Sequence, residues 1–398
     1  MSKYTLRASS ITVRKDGIAG LICASIVISW LLIVVVGCKP TGVPPALYSV
    51  DPRVLARFQT QGSIESSPLV QHGVAYFGSD DRYLYAVDLL TFRKIWRFST
   101  GNIVRSRPAF ANGIVYIASD DGYLYAVNAQ TGQKTWRFKI GGTALPPVHG
   151  DYFLRSSPTV SSGIVYIGSG NGNLYAVDAQ TGQERWHFKT NGRVRSSPAV
   201  AGGLVYVGSF DKYLYAVDAR TGQEKWRFKT PGLVESSPAV AKGVVYFEDW
   251  LSNIYAVNAS TGVEKWKRYM NGGTASAIIK YGLVFIGGTA NKVLYALNSK
   301  TGKTIWTYHT PGYPFASPAI AYGLVYLGVS PPSYPGEDFL AVDIRTGKLL
   351  WSVITEAPLP DAPKRGANTS PVVAGQTVYF GASDGKLYAV KALPTILP

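Results

Sequence analysis

Residues 196-SSPAVAGGLVYVGSFDKYLYAVDARTGQEKWRFKT-230 are one of eight near-copies of a single phrase, and their recurrence decides the architecture. The Ser-x-Pro element returns with its proline at Pro68, Pro108, Pro158, Pro198, Pro238, Pro318 and Pro371, with Ala277 in place of the missing one. Successive spacings are 40, 50, 40, 40, 39, 41 and 53 residues. A period near 40 that holds several short strands is the mark of a radial β-architecture rather than a helical solenoid.

Each copy reads as four strands. Ser-Pro-Ala-Val opens the first, Leu-Val-Tyr-Val-Gly alternates through the second, Leu-Tyr-Ala-Val is the third and Lys-Trp-Arg-Phe the fourth, all rich in β-branched and aromatic residues. Glycines (Gly73, Gly113, Gly163, Gly203, Gly243) mark the first hairpin, and pairs such as Asp121-Gly122, Asn171-Gly172 and Asp384-Gly385 mark the second. The third turn is Asp/Asn-x-x-Thr-Gly, in which the Asx side chain bonds forward to backbone amides. No helix-period stripe occurs. The expected fold is all-β: an eight-bladed β-propeller of four-stranded antiparallel blades.

The fourth-strand tryptophan occurs seven times, at Trp96, Trp136, Trp186, Trp226, Trp266, Trp306 and Trp351, and the last copy stops after 387-LYAV-390 without that strand. The missing strand is at the other end. The segment 55-LARFQT-60 places Ala56 12 residues before Pro68, just as Trp96 stands 12 before Pro108. An N-terminal strand is therefore expected to complete the last blade and remove a free sheet edge. With alanine in the tryptophan position, that seam is expected to be the least well packed.

The stretches 129-AQTGQKTW-136, 179-AQTGQERW-186 and 219-ARTGQEKW-226 resemble the docking motif of pyrroloquinoline-quinone-type (PQQ-like) propeller repeats, a resemblance that spans residues 54–392. It implies that threonine, glycine and tryptophan lock neighbouring blades, giving Thr181, Gly182, Trp186 and their equivalents a structural role. Blade one departs, with Thr91-Phe92 where the motif has Thr-Gly. Blade number, repeat and N-terminus are together similar to the BamB-like outer-membrane assembly lipoproteins, which implies a protein-binding scaffold. Quinone-dependent alcohol dehydrogenases share this propeller type but use a vicinal cysteine pair that is absent here. Neither pyrroloquinoline quinone nor calcium is expected as a cofactor.

Lys3, Arg7, Arg14 and Lys15 precede an apolar run from Gly17 to Gly37 that ends in 35-VVGC-38. Residues 1–37 read as a lipoprotein signal peptide with Cys38 as the lipid-accepting residue, the alternative being an uncleaved membrane helix. Both place the ring outside the cytoplasm, because the basic flank stays inside. Residues 38–53 form a proline-rich tether, 54–392 the propeller and 393–398 a short tail. Lys39 follows the cysteine where inner-membrane lipoproteins of diderm cells carry aspartate, so an outer membrane, where one exists, is the expected destination. Past Cys38 no cysteine occurs, which excludes disulfides.

Four of the 40 basic and one of the 24 acidic residues lie within 1–37, leaving about +13 on the mature chain. Such a charge favours anionic partners: lipid head groups, wall polymers or an acidic protein surface. Nucleic acid is not expected for an exported protein, and the ring is expected to be monomeric. Part of the charge lies in the outer strands (Arg137, Lys139, Arg227, Lys229), where it protects an exposed edge.

Three insertions, around 143–153, 356–367 and 330–338, fall on the face that carries the blade connections and the second-to-third strand turns. That face is the expected working surface. Three residues before each proline the chain reads Glu65, Arg105, Arg155, Arg195, Glu235, Thr274, Phe315 and Asn368. Arg105, Arg155 and Arg195 thus form an arginine sector suited to carboxylate or phosphate, unless they pair with Glu65 and Glu235. Phe210 and Trp250 occupy equivalent turns in adjacent blades and are candidate interface anchors, or else pack on a neighbouring loop. The four histidines (His72, His149, His187, His309) show no metal spacing, and Asp80-Asp81 and Asp120-Asp121 are explained by hairpin chemistry rather than calcium. No catalytic residue is assigned. The remaining alternatives are an envelope polysaccharide or anionic-ligand binder and a quinoprotein enzyme.

Overall fold

The computed structural model describes residues 51–141, 156–271, 275–332, 338–359, 366–367 and 369–393. The described strands form eight four-stranded antiparallel sheets. Blade four is typical: a short innermost strand Ala199–Ala201, then Leu204–Ser209, Tyr213–Asp218 and the outer strand Glu224–Lys229. Across it, Ala199, Tyr206, Ala216 and Trp226 share one row. The small alanines leave room for the aromatic side chains, whose ring centroids lie 5.8 Å apart.

The hydrophobic cores lie between blades, because the two middle strands of each blade are apolar on both faces of the period-two alternation. Tyr116 and Ala118 of blade two pack on Val165 and Ile167 of blade three. Val115 and Ile117 of the same strand instead face Tyr76, Leu84 and Ala86 of blade one. Turns follow the expected chemistry. His72-Gly73 and Asn112-Gly113 both have positive φ, the geometry of a two-residue type I′ hairpin. In the third turn of blade three, Asp178 Oδ1 accepts the amides of Gln180 (3.0 Å) and Thr181 (2.8 Å), and Gly182 takes φ +74°.

The docking tryptophans work as a repeated lock. The indoles of Trp96, Trp136, Trp186, Trp226, Trp266 and Trp306 donate to a carbonyl of the following blade at 2.9–3.2 Å. The tyrosine beside each of the first five donates to the same carbonyl, as Tyr206 does to Ala259 at 2.9 Å. The motif glycine lies flat on the indole: a Cβ on Gly132, Gly182, Gly222, Gly262, Gly302 or Gly347 would sit 2.6–2.8 Å from it.

Closure by the N-terminal strand holds. Val54–Gln59 pairs antiparallel with Lys386–Lys391, with Ala56 opposite Ala389 and Phe58 opposite Leu387. The expectation of a poorly packed seam needs correction. Phe92, where the motif has glycine, turns its ring into the seam and stacks on Tyr379 of blade eight at 6.5 Å and 19°. Elsewhere the equivalent aromatic pairs with the tryptophan of its own blade at 5.7–5.9 Å. Loss of tryptophan at 56 and gain of phenylalanine at 92 thus compensate each other. The preceding seam also departs. Blade eight has no Thr-Gly turn, so the Trp351 indole is buried with no acceptor among the described residues, and the Arg53 guanidinium lies over its ring at 5.5 Å.

Candidate functional site: the connection face and the central channel

Second-to-third strand turns and blade connections share one face, as their hydrogen bonds show. Asp81, Asp121 and Asp211 accept the connection amides of Gln61 (3.1 Å), Gly101 (2.7 Å) and Asn191 (2.9 Å). The same carboxylates accept Tyr85, Tyr125 and Tyr215 hydroxyls at 2.6–2.8 Å. These aspartates are consumed in holding the face rigid.

Arg105 is the centre of a cluster of acids. Its Nε and Nη2 fork onto Asp80 at 3.1 and 2.8 Å, with Glu65 at 3.2 Å and Asp120 at 3.9 Å. Burial, with Glu65 and Asp81 nearby, pushes Asp80 up to about 6 despite the arginine. One guanidinium among three carboxylates is not a free positive spot, so Arg105 clasps blades one and two. Arg155, Thr274 and Asn368 lie outside the described residues, as do Cys38 and most of the three insertions.

Arg195 belongs to a different cluster. It is nearly buried, with its guanidinium over the Phe210 ring at 5.0 Å and Nη1 3.8 Å from Glu235. Phe210 meets Trp250 edge to face at 5.4 Å, and the Trp250 indole donates to Glu235 Oε2 at 2.9 Å. The chain of contacts Arg195, Phe210, Trp250 and Glu235 fixes the two aromatics across blades four and five. Trp250 nevertheless stays 46% exposed and Leu251 54%. The rings pack on each other and still present an apolar surface.

Inside the ring the residue before each proline forms a second circle. Backbone amides of Arg107, Ser157, Ser197 and Ser237 donate to the hydroxyls of Ser157, Ser197, Ser237 and Ser276 at 2.8–3.0 Å. Ser317 donates likewise to Ser370 and Ser370 to Ser67, at 3.1 and 2.9 Å. The circle borders a central cavity of about 850 Å³. Seven of its eight positions are serine and one is Arg107, a departure visible on aligning the copies that the reading by insertions passed over.

Glu248 was also passed over. It occupies a position that is glycine in six copies and alanine in one, where the backbone packs on the next blade. The residue is 2% exposed and, among the described residues, both carboxylate oxygens lack a hydrogen-bond partner. Burial and the charge of Asp249 raise it well above the usual carboxylate range.

Among the described residues no group of three histidines, cysteines or acids could hold a metal, and the cavity lining contains no carboxylate.

The sequence model of the family described as outer membrane protein assembly factor BamB matches residues 47–153, 121–279 and 253–393. No curated protein matches in sequence. Among solved structures, BamB from Moraxella catarrhalis is similar at a TM-score of 0.68 and 16% identity, covering 85% of this chain and 99% of that one. The designed protein Ika8 is similar at 0.69 and 18%, covering 85% and 99%. A europium-containing methanol dehydrogenase is similar at 0.67 and 16%, covering 84% and 86%. A dehydrogenase, a designed protein and BamB thus share the fold, whereas the sequence model spans nearly the whole ring: the chain belongs to the BamB family of PQQ-like repeat β-propellers.

Proposed function

We propose that this propeller is a lipid-anchored, extracytoplasmic scaffold that binds envelope or outer-membrane proteins during their assembly, and is not an enzyme. The observation that carries this reading is the exposed Trp250–Leu251 hairpin held by Phe210, Arg195 and Glu235. An exposed indole on a rigid turn contributes a large apolar area at little entropic cost, which is what protein-docking surfaces use. Family membership supports the same reading. Anchoring through Cys38 rests on the sequence alone, and mass spectrometry of the mature N-terminus tests it: a diacylated or triacylated Cys38 is expected, and an intact Met1 peptide refutes it.

The scaffold role is tested by affinity purification of the full chain from its own membranes, comparing the natural protein with Trp250→Ala/Leu251→Ala. Both residues are exposed and the Trp250–Glu235 hydrogen bond contributes about 1 kcal/mol, so the melting temperature should fall by only about a degree or two. Recovery of envelope proteins should fall at least about tenfold, since truncating one interface anchor commonly costs about 2 kcal/mol. Unchanged recovery by the variant would remove the hairpin as the docking surface.

A further inference from the structure

We propose that the central channel is a binding site for a small oxyanion, carboxylate or phosphate, held by Arg107 within the circle of serine hydroxyls. This site is distinct from the Trp250 hairpin and does not depend on that reading.

The lining is unbalanced in its chemistry. Its charged side chains among the described residues are Arg107 and Lys280, and it carries no acid. Lys280 already donates to the Ile320 carbonyl at 2.8 Å. Arg107 has no side-chain hydrogen bond and no ion pair among the described residues, in contrast to Arg105, two residues away, which holds three carboxylates. The serine hydroxyls accept an amide from the neighbouring blade and each keeps a proton to donate. The cavity therefore presents a guanidinium fork and several O–H donors together, a set that suits the oxygens of an anion.

Arg107 is open to the water of the channel yet enclosed by protein around the ring, and this enclosure lowers its affinity for its own proton. An enclosed cation with no counter-charge is the arrangement that an incoming anion relieves. Nor does the fold need the arginine. Serine at this position would extend the circle, because arginine offers no hydroxyl to the Ser67 amide while Ser67, Ser157, Ser197, Ser237, Ser276 and Ser370 each accept one.

The test uses the full chain in detergent, titrated with sodium phosphate or sodium acetate at constant ionic strength against chloride, followed by thermal shift and calorimetry. The natural protein should bind at least one of the two, and the arm that responds identifies the oxyanion. Arg107→Ser should fold with an unchanged or higher melting temperature and bind at least tenfold more weakly. Arg107→Gln serves as a second variant should the serine change disturb the circle. Arg137→Ser, on an outer strand, should leave binding intact. No response to either anion in the natural protein, or an equal response in Arg107→Ser and Arg107→Gln, overturns the site.

Discussion

Exchanging residues 56 and 92 back to the repeat pattern tests whether the irregular seam is a matched pair. Phe92→Gly removes a half-buried ring stacked on Tyr379. A fully buried phenylalanine costs about 3–5 kcal/mol to truncate, so half of that, about 2 kcal/mol, is lost here. Phe92 also has φ +54°, and glycine relieves about 1 kcal/mol of that strain. The net loss is about 1 kcal/mol. Ala56→Trp alone directs an indole at a position where the other seams tolerate no Cβ, since 2.6–2.8 Å separates glycine from indole there. Overpacking of that kind costs about 1–3 kcal/mol. Together the two changes rebuild the lock of the regular seams, and the double variant should lie within about 1 kcal/mol of the natural protein. The coupling is then about 2–3 kcal/mol in the stabilising direction, at the upper end for contacting residues. With about 2.1 cal/mol/K per residue over roughly 340 residues, 1 kcal/mol corresponds to about 1.4 °C, so calorimetry should separate the double variant from additivity by about 3–4 °C. A double variant as unstable as the sum of its parts would refute the matched-pair reading.

Two further outcomes follow from buried polar groups. Glu248 is raised well above the usual range by burial, so unfolding releases its proton at any pH between the unfolded and the folded value; its stabilising contribution is complete below about pH 4.3 and declines by about 1.4 kcal/mol per pH unit until the folded value is reached. Glu248→Gln should therefore gain in melting temperature relative to the natural protein between pH 4.5 and 7.5, and a constant difference across that range would contradict the assignment. Trp306→Phe should cost about 1 kcal/mol more than Trp351→Phe in urea unfolding, because the Trp306 indole donates to Ile344 at 2.9 Å and the Trp351 indole has no acceptor among the described residues. Equal losses would show that the indole hydrogen bond contributes nothing to docking.

Blade count, strand order, turn types and closure were legible because each rests on a local pattern repeated in register. Seven tryptophans and the 12-residue spacing to Ala56 sufficed to place the closing strand. What stayed hidden were interactions between one copy's departure and another's. Thr91-Phe92 looked like a defect in blade one, yet its partner Tyr379 is nearly 290 residues away, a pairing that no periodicity signals. Arg105 and Arg195 looked alike by position, but their surroundings are set by the adjacent turns: Asp80 and Asp120 beside Arg105, Phe210 beside Arg195. Equal register therefore does not mean equal electrostatics. Arg107 and Glu248 stood out only against the average of the copies, and reading each copy for its exceptions would have found both.

The two irregular seams flank the blade that is assembled from both ends of the chain. Copies this similar invite mistakes in counting: any tryptophan could dock on any Thr-Gly turn, and a ring could try to shut one blade early or capture the wrong neighbour. Blade eight offers no such turn, and blade one accepts an alanine edge only because Phe92 fills the gap. The final joint thus rewards one arrangement, with Arg53 on Trp351 on one side and Phe92 on Tyr379 on the other. Irregularity at the closing point tells the chain which end is which, and an array of interchangeable parts acquires a first member and a last.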